Sequence, residues 1–136
     1  MNVKSLVLVV DDDEIIRTFV RALLEEAGFE VVDAANGGEA LSQARRSDPD
    51  VILMDLDMPT LSGWDATAFL RSLNLTSDTP IIAVTSRDLS VEGPRLKDLG
   101  FSGHVAKPQI PEKLVGAVRS VLRSVEDGSD WVDFDG

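Results

Sequence analysis

Five short, β-branched-rich apolar runs, with stretches of helical spacing between and after them, leave this chain few folds to choose from. The runs are 6–10 (LVLVV), 30–34 (EVVDA), 51–54 (VILM), 81–84 (IIAV) and 104–106 (HVA). The first is continuously apolar, without alternation, which suits a strand covered on both faces, as in a parallel sheet, and the other runs are similar. After the first run, Ile15, Ile16, Phe19, Val20, Leu23, Leu24 and Ala27 recur at three- and four-residue spacing, and Gly28 follows as a C-terminal cap. Further helices are predicted over 38–46, 62–73 and 111–125, the last with Pro111 in its first turn and Leu114, Val115, Val118, Val121, Leu122 and Val125 on its buried face. A fourth helix should be short and start near Pro94, because Gly93-Pro94 interrupts the stretch 89–99. Five strands alternating with five helices predict βαβ units, right-handed crossovers and a parallel sheet with helices on both sides.

Length and composition narrow the chemistry. With 136 residues the chain has the size of one domain, read here as residues 1–125 followed by an acidic tail over 126–136. That tail, EDGSDWVDFDG, holds five acids, no base, and two isolated aromatics, Trp131 and Phe134. No apolar run approaches the roughly 20 residues needed to span a bilayer, and the N-terminus lacks a signal-peptide pattern, so a cytoplasmic location without membrane contact is expected. The absence of cysteine and the single His104 exclude disulfides, thiolate sites and histidine-based metal clusters, so any metal site must be built from oxygen. A net charge of -11 argues against direct nucleic-acid binding and favours a partner with a basic face.

In open parallel α/β sheets, function gathers at the carboxyl ends of the strands, where strand order reverses. Asp11, Asp12 and Asp13 stand there after the first strand, Asp55 and then Asp57 after the third, Thr85 and Ser86 after the fourth, and Lys107 after the fifth. If the first and third strands are neighbours, the acids converge. Carboxylates so gathered must hold protons or recruit a cation, and a hard divalent ion is the natural solution. A lysine and a hydroxyl beside them supply donors for a phosphoryl group.

Four motifs occur in order on this chain: VVDDD after the first strand, ILMD followed by LDMPTLSG at the third, VTS at the fourth and VAKP after the fifth. In order, spacing and context they resemble the response-regulator receiver family of two-component signalling, over nearly all of residues 5–125. The resemblance implies a flavodoxin-like (CheY-like) three-layer α/β/α sandwich with strand order 2-1-3-4-5. It implies that Asp55 accepts a phosphoryl group from a sensor histidine kinase or a histidine phosphotransfer protein. It further implies Mg²⁺ (or Mn²⁺) held by Asp12, Asp55 and the Asp57 backbone carbonyl, with Asp11 acting through water. Lys107 would pair with the phosphoryl oxygens, the bond to Pro108 would be cis, and Thr85 would move to the phosphoryl group. Gly63 would permit the tight turn after the acceptor loop.

Bland readings stand beside these. Asp13 is expected only to cap the first helix, and Trp64 to pack in the core. His104 takes the place of the aromatic that swings with the threonine in many receivers, and is either part of that switch or a half-exposed structural histidine. Gln109 and Gly93-Pro94 depart from the family pattern on the face offered to partners. The expected output is contact with an unidentified downstream protein by a monomer or a weak phosphorylation-dependent dimer, from a receiver that stands alone, belongs to a larger protein or serves as a phosphate sink. Alternatives from other classes are an aspartate-nucleophile phosphatase, whose Asp-x-Asp spacing Asp55 and Asp57 satisfy, and a receiver-like ligand-binding module.

Overall fold

The computed structural model describes residues 4–74, 76–89 and 93–127, the last three by their backbone alone. The elements run β1 (Leu6–Val10), α1 (Glu14–Glu26), β2 (Glu30–Ala34), α2 (Gly37–Ser47), β3 (Val51–Asp55), α3 (Gly63–Ser72), β4 (Ile81–Thr85), α4 (Gly93–Asp98), β5 (Gly103–Ala106) and α5 (Ile110–Asp127). All strand pairings are parallel and the order across the sheet is β2-β1-β3-β4-β5. The order reverses between β1 and β3, which places a crevice outside their carboxyl ends.

Successive strand residues point to opposite faces, so each apolar run divides between two cores. Val7, Val9, Leu53, Ile82 and Val105 pack under α1 and α5 against Val20, Leu24, Leu114 and Val118. Leu8, Val10, Ile52, Met54 and Ala83 face α2, α3 and α4, meeting Ala40, Ala44, Leu70 and Leu96. Every residue of β3 and β4 is buried, which is why these segments read as unbroken apolar runs. The result is the three-layer sandwich expected for the chain.

Local chemistry sets the helix ends. The Asp13 carboxylate accepts from Ile15 N (2.9 Å) and starts α1, as expected of a cap. Gly28, just past α1, has φ 98°, the left-handed conformation that glycine adopts without a Cβ clash. Asn36 caps α2 through Glu39 N (2.9 Å), and Ser62 caps α3 through Asp65 N (3.2 Å).

Some expectations are corrected. Ile15 and Phe19 fit the spacing of the buried face of α1 but are 78% and 42% exposed, because α1 is wider in apolar residues than the stripe that the sheet and α5 can cover. On α5, Leu114, Val118 and Val121 are buried, Val115 and Leu122 only half-buried, and the Val125 side chain lies outside the described residues. The helix also runs on to Asp127, two residues into the acidic tail. Trp64 is half-buried, edge-on to Phe101, with the Arg95 guanidinium over its ring. The bond to Pro108 is trans, since no described peptide bond is cis: Lys107–Gln109 form a 3₁₀ turn, closed by Ile110 N to Lys107 O, that leads directly into α5. Trp131 and Phe134 lie outside the described residues.

Candidate functional site

Where β1 ends, Asp11 is fixed by all its polar groups. Its N–H donates to Ala34 O of β2 (3.2 Å), continuing the ladder one residue beyond the strand. Its carbonyl accepts from Arg17 Nη1 (2.8 Å), Oδ1 from Asp13 N (2.9 Å), and Oδ2 pairs with Lys107 Nζ (3.0 Å). Asp12, the next residue, is exposed and turns its carboxylate to the same crevice.

Asp55 is the last residue of β3 and is 2% exposed. Oδ1 accepts from Asp57 N (3.1 Å), and Oδ2 lies 3.5 Å from Lys107 Nζ. The loop after it folds back so closely that a Cβ on Gly63 would sit 2.0 Å from the Asp55 carbonyl oxygen. Glycine is needed there for space, since α3 begins at that residue and Gly63 N donates to Leu56 O (3.1 Å). Asp57 points outward, its two oxygens 2.9 and 3.0 Å from Arg87 Nε, and Arg87 N in turn donates to Thr85 Oγ1 (3.1 Å).

Oxygen atoms of Asp11, Asp12 and Asp55 all lie within 4.8 Å of one another. Burial, and next the Asp11 charge, push the Asp55 carboxyl up to about 6; the Asp57 N–H and Lys107 oppose the push, and a side-chain hydrogen bond with Asp12 adds to it. Lys107 is lowered by burial, but its bonds to Asp11 and the charges of Asp11 and Asp55 outweigh that and hold it above the ordinary lysine value. The cluster therefore carries one ammonium against three carboxylates. Such a donor set, all oxygen and short of positive charge, fits a hard divalent cation.

The sequence model of the response regulator receiver domain matches residues 7–119. The chain belongs to that family. Protein PilH of Pseudomonas aeruginosa is 37% identical over 116 residues, covering 85% of this chain and 96% of PilH. The chemotaxis protein CheY4 of Vibrio cholerae superposes with a TM-score of 0.83 at 34% identity, over 88% of this chain and 99% of that one. Other relatives are longer: a probable transcriptional regulator, ycf27, of Porphyridium aerugineum is 38% identical over 93% of this chain and only 51% of its own length. The chain spans about half the length of several curated relatives it matches.

In this receiver Thr85, fully buried at the end of β4, borders the site from the β4 side, one residue past the Asp55–Val84 pairing. Behind it opens a cleft of about 300 Å³ between the β4–α4 loop and α5, lined by Thr85, Leu89, His104, Gln109 and Lys113. His104 is half-buried on that cleft. Two residues escaped the sequence reading. Arg17 reaches the Asp11 carbonyl from the first turns of α1, and Arg87 clamps Asp57. Their positions held a signal: Arg17 is four residues after the cap Asp13, hence on the helix face turned to the β1 exit, and Arg87 follows Thr85 by two as Asp57 follows Asp55.

Proposed function

We propose that this receiver domain is a phosphorylation switch in which Asp55 accepts a phosphoryl group with the help of Mg²⁺ or Mn²⁺. The observation that carries the reading is the convergence of Asp11, Asp12 and Asp55 with Lys107 bonded to the first and beside the last. Asp12, Asp55 and the Asp57 carbonyl would hold the cation; Asp11, both of whose oxygens are engaged, suits a role through water. When bound, the cation neutralises carboxylate and phosphoryl charge. Asp55, whose carboxyl lies at about 6 without a cation, would then stay fully ionised as the nucleophile.

The donor is a phosphohistidine on a sensor histidine kinase or a histidine phosphotransfer protein. A carboxylate oxygen of Asp55 forms a bond to phosphorus in line as the P–N bond breaks, and the electron pair and a proton go to the imidazole leaving group. Lys107 holds the phosphoryl oxygens by its ammonium, and the Thr85 hydroxyl turns from its bond with Arg87 N to donate to them. The domain thereby catalyses its own phosphorylation and slow hydrolysis without turnover of a separate substrate. Movement of Thr85 reshapes the cleft behind it, with His104 following, and so alters the surface that a downstream protein reads. This function suits a cytoplasmic protein without membrane or nucleic-acid contact of its own, as a monomer or a weak phosphorylation-dependent dimer.

A phosphatase mechanism finds less support. It would use the second acid of Asp55-x-Asp57 for proton transfer, and the Asp57 carboxylate instead points outward onto Arg87. Incubation with acetyl phosphate and Mg²⁺, compared with Asp55→Asn, tests the switch: a labile, Mg²⁺-dependent adduct should form on wild type only.

A further inference from the structure

The acid cluster depends on one peptide unit that the proposed mechanism does not use. Between Asp11 and Asp12 the carbonyl is held by Arg17 Nη1 at 2.8 Å. A peptide is planar, so fixing that carbonyl also fixes the direction in which Asp12 leaves the turn. Arg17 is itself held. Its backbone N–H donates to Asp13 O (3.0 Å), its side chain is only 17% exposed, and its Nε lies 3.7 Å from Asp33 Oδ2 on β2. Asp33 in turn lies 3.6 Å from Arg21 Nη2, and Arg21 Nη1 donates to Val31 O (3.1 Å). A guanidinium braced between α1 and β2 thus anchors the turn from which both β1 acids project.

We propose that Arg17 is a positioning residue for the divalent-cation site, acting through the Asp11 carbonyl to preset Asp12. The proposal rests on the switch reading, since it presumes that Asp12 and Asp55 take a cation. Partners one shell out from metal ligands typically carry about 10–100-fold of affinity. The lower end applies here, because Arg17 orients a backbone unit and not the ligating carboxylate itself.

Isothermal titration with Mg²⁺ on the full chain separates this role from general support of the fold. Arg17→Gln should raise the Mg²⁺ dissociation constant about 10-fold. Arg17→Lys, which keeps one donor for the carbonyl, should recover part of the loss. Asp33→Asn, which removes the charge of the brace and leaves the carbonyl bond, should change it by less than about 3-fold, as for a long, partly exposed ion pair. The acetyl phosphate reaction of Arg17→Gln should fall more at limiting than at saturating Mg²⁺. An unchanged constant in folded Arg17→Gln overturns the proposal, as does an equal rise in Asp33→Asn. If Arg17→Gln does not fold, Arg17→Lys decides: a wild-type constant overturns the proposal, and a raised one with a normal melting temperature supports it. Wild type and Asp12→Asn serve as references. If wild type binds no Mg²⁺, the switch reading fails together with the proposal; if Asp12→Asn weakens binding and the Arg17 variants do not, only the proposal fails.

Discussion

The two ends of the functional face are built differently. At the β1–β3 end, Asp11 uses every polar group it has and Asp55 sits against Gly63 with no room for a methyl group. At the β4–β5 end, α4 spans six residues and contributes Leu96 to the core, and a cleft of about 300 Å³ opens beside Thr85 and His104. Isolated helices of one or two turns are marginal, so α4 relies on that anchor and on Arg95 over Trp64. On the proposed switch the contrast would separate chemistry from signalling: a reacting group needs preset geometry, and a surface that is to change on phosphorylation needs low local stability.

Substitutions should divide along the same line. The largest effect is expected for Gly63→Ala, whose methyl group must displace the Asp55 backbone; urea unfolding should show a loss of about 3–5 kcal/mol, with acceptor chemistry lost alongside. Only a small loss would mean that the acceptor loop yields, and the contrast would weaken. Lys107→Ala should next slow adduct formation from acetyl phosphate by about 100–1,000-fold, the usual cost of one preset donor to a developing charge.

Asp55→Asn should stabilise the cation-free protein at neutral pH. Because the folded carboxyl is raised from 3.8 to about 6, the native state binds more protons than the unfolded chain between those values. Stability therefore falls as pH rises through that window, and ionised Asp55 costs at most about 3 kcal/mol above it. In chelator, the melting temperature of Asp55→Asn should exceed that of wild type at pH 7.5 and converge with it near pH 4; equal values at pH 7.5 would remove the electrostatic argument for a cation. The smallest effect belongs to the other end. Arg95→Ala should cost about 0.5–1 kcal/mol, seen as faster hydrogen exchange confined to α4, with adduct formation unaffected.

How much was legible in the sequence follows the same boundary. Unbroken apolar runs foretold the strands, since β3 and β4 are buried on both faces, and the acids fell at strand ends where the fold rule places function. Helix spacing foretold α1 but not that Ile15 and Phe19 lie beyond its covered stripe, because the stripe's width depends on how α5 and the sheet meet it. The close approach of Gly63 to the Asp55 carbonyl bears out the expected need for a residue without a Cβ, whereas the trans bond at Pro108 goes with the local 3₁₀ turn over Lys107–Gln109. Arg17 and Arg87 went unread because their spacing from Asp13 and Thr85 gives only their direction, and their importance lies in what they touch, a main-chain carbonyl and an outward carboxylate. At the other end, Gly93-Pro94 did announce a short fourth helix.

The central claim is that Asp55 is a cation-dependent phosphoacceptor. Its most direct test is intact-protein mass spectrometry after incubation with acetyl phosphate, with and without Mg²⁺, on wild type and Asp55→Asn. The account predicts a single phosphoryl adduct on wild type that needs Mg²⁺, is lost in base, and is absent from folded Asp55→Asn. An adduct of equal yield on Asp55→Asn, or none on folded wild type that binds Mg²⁺, would contradict it.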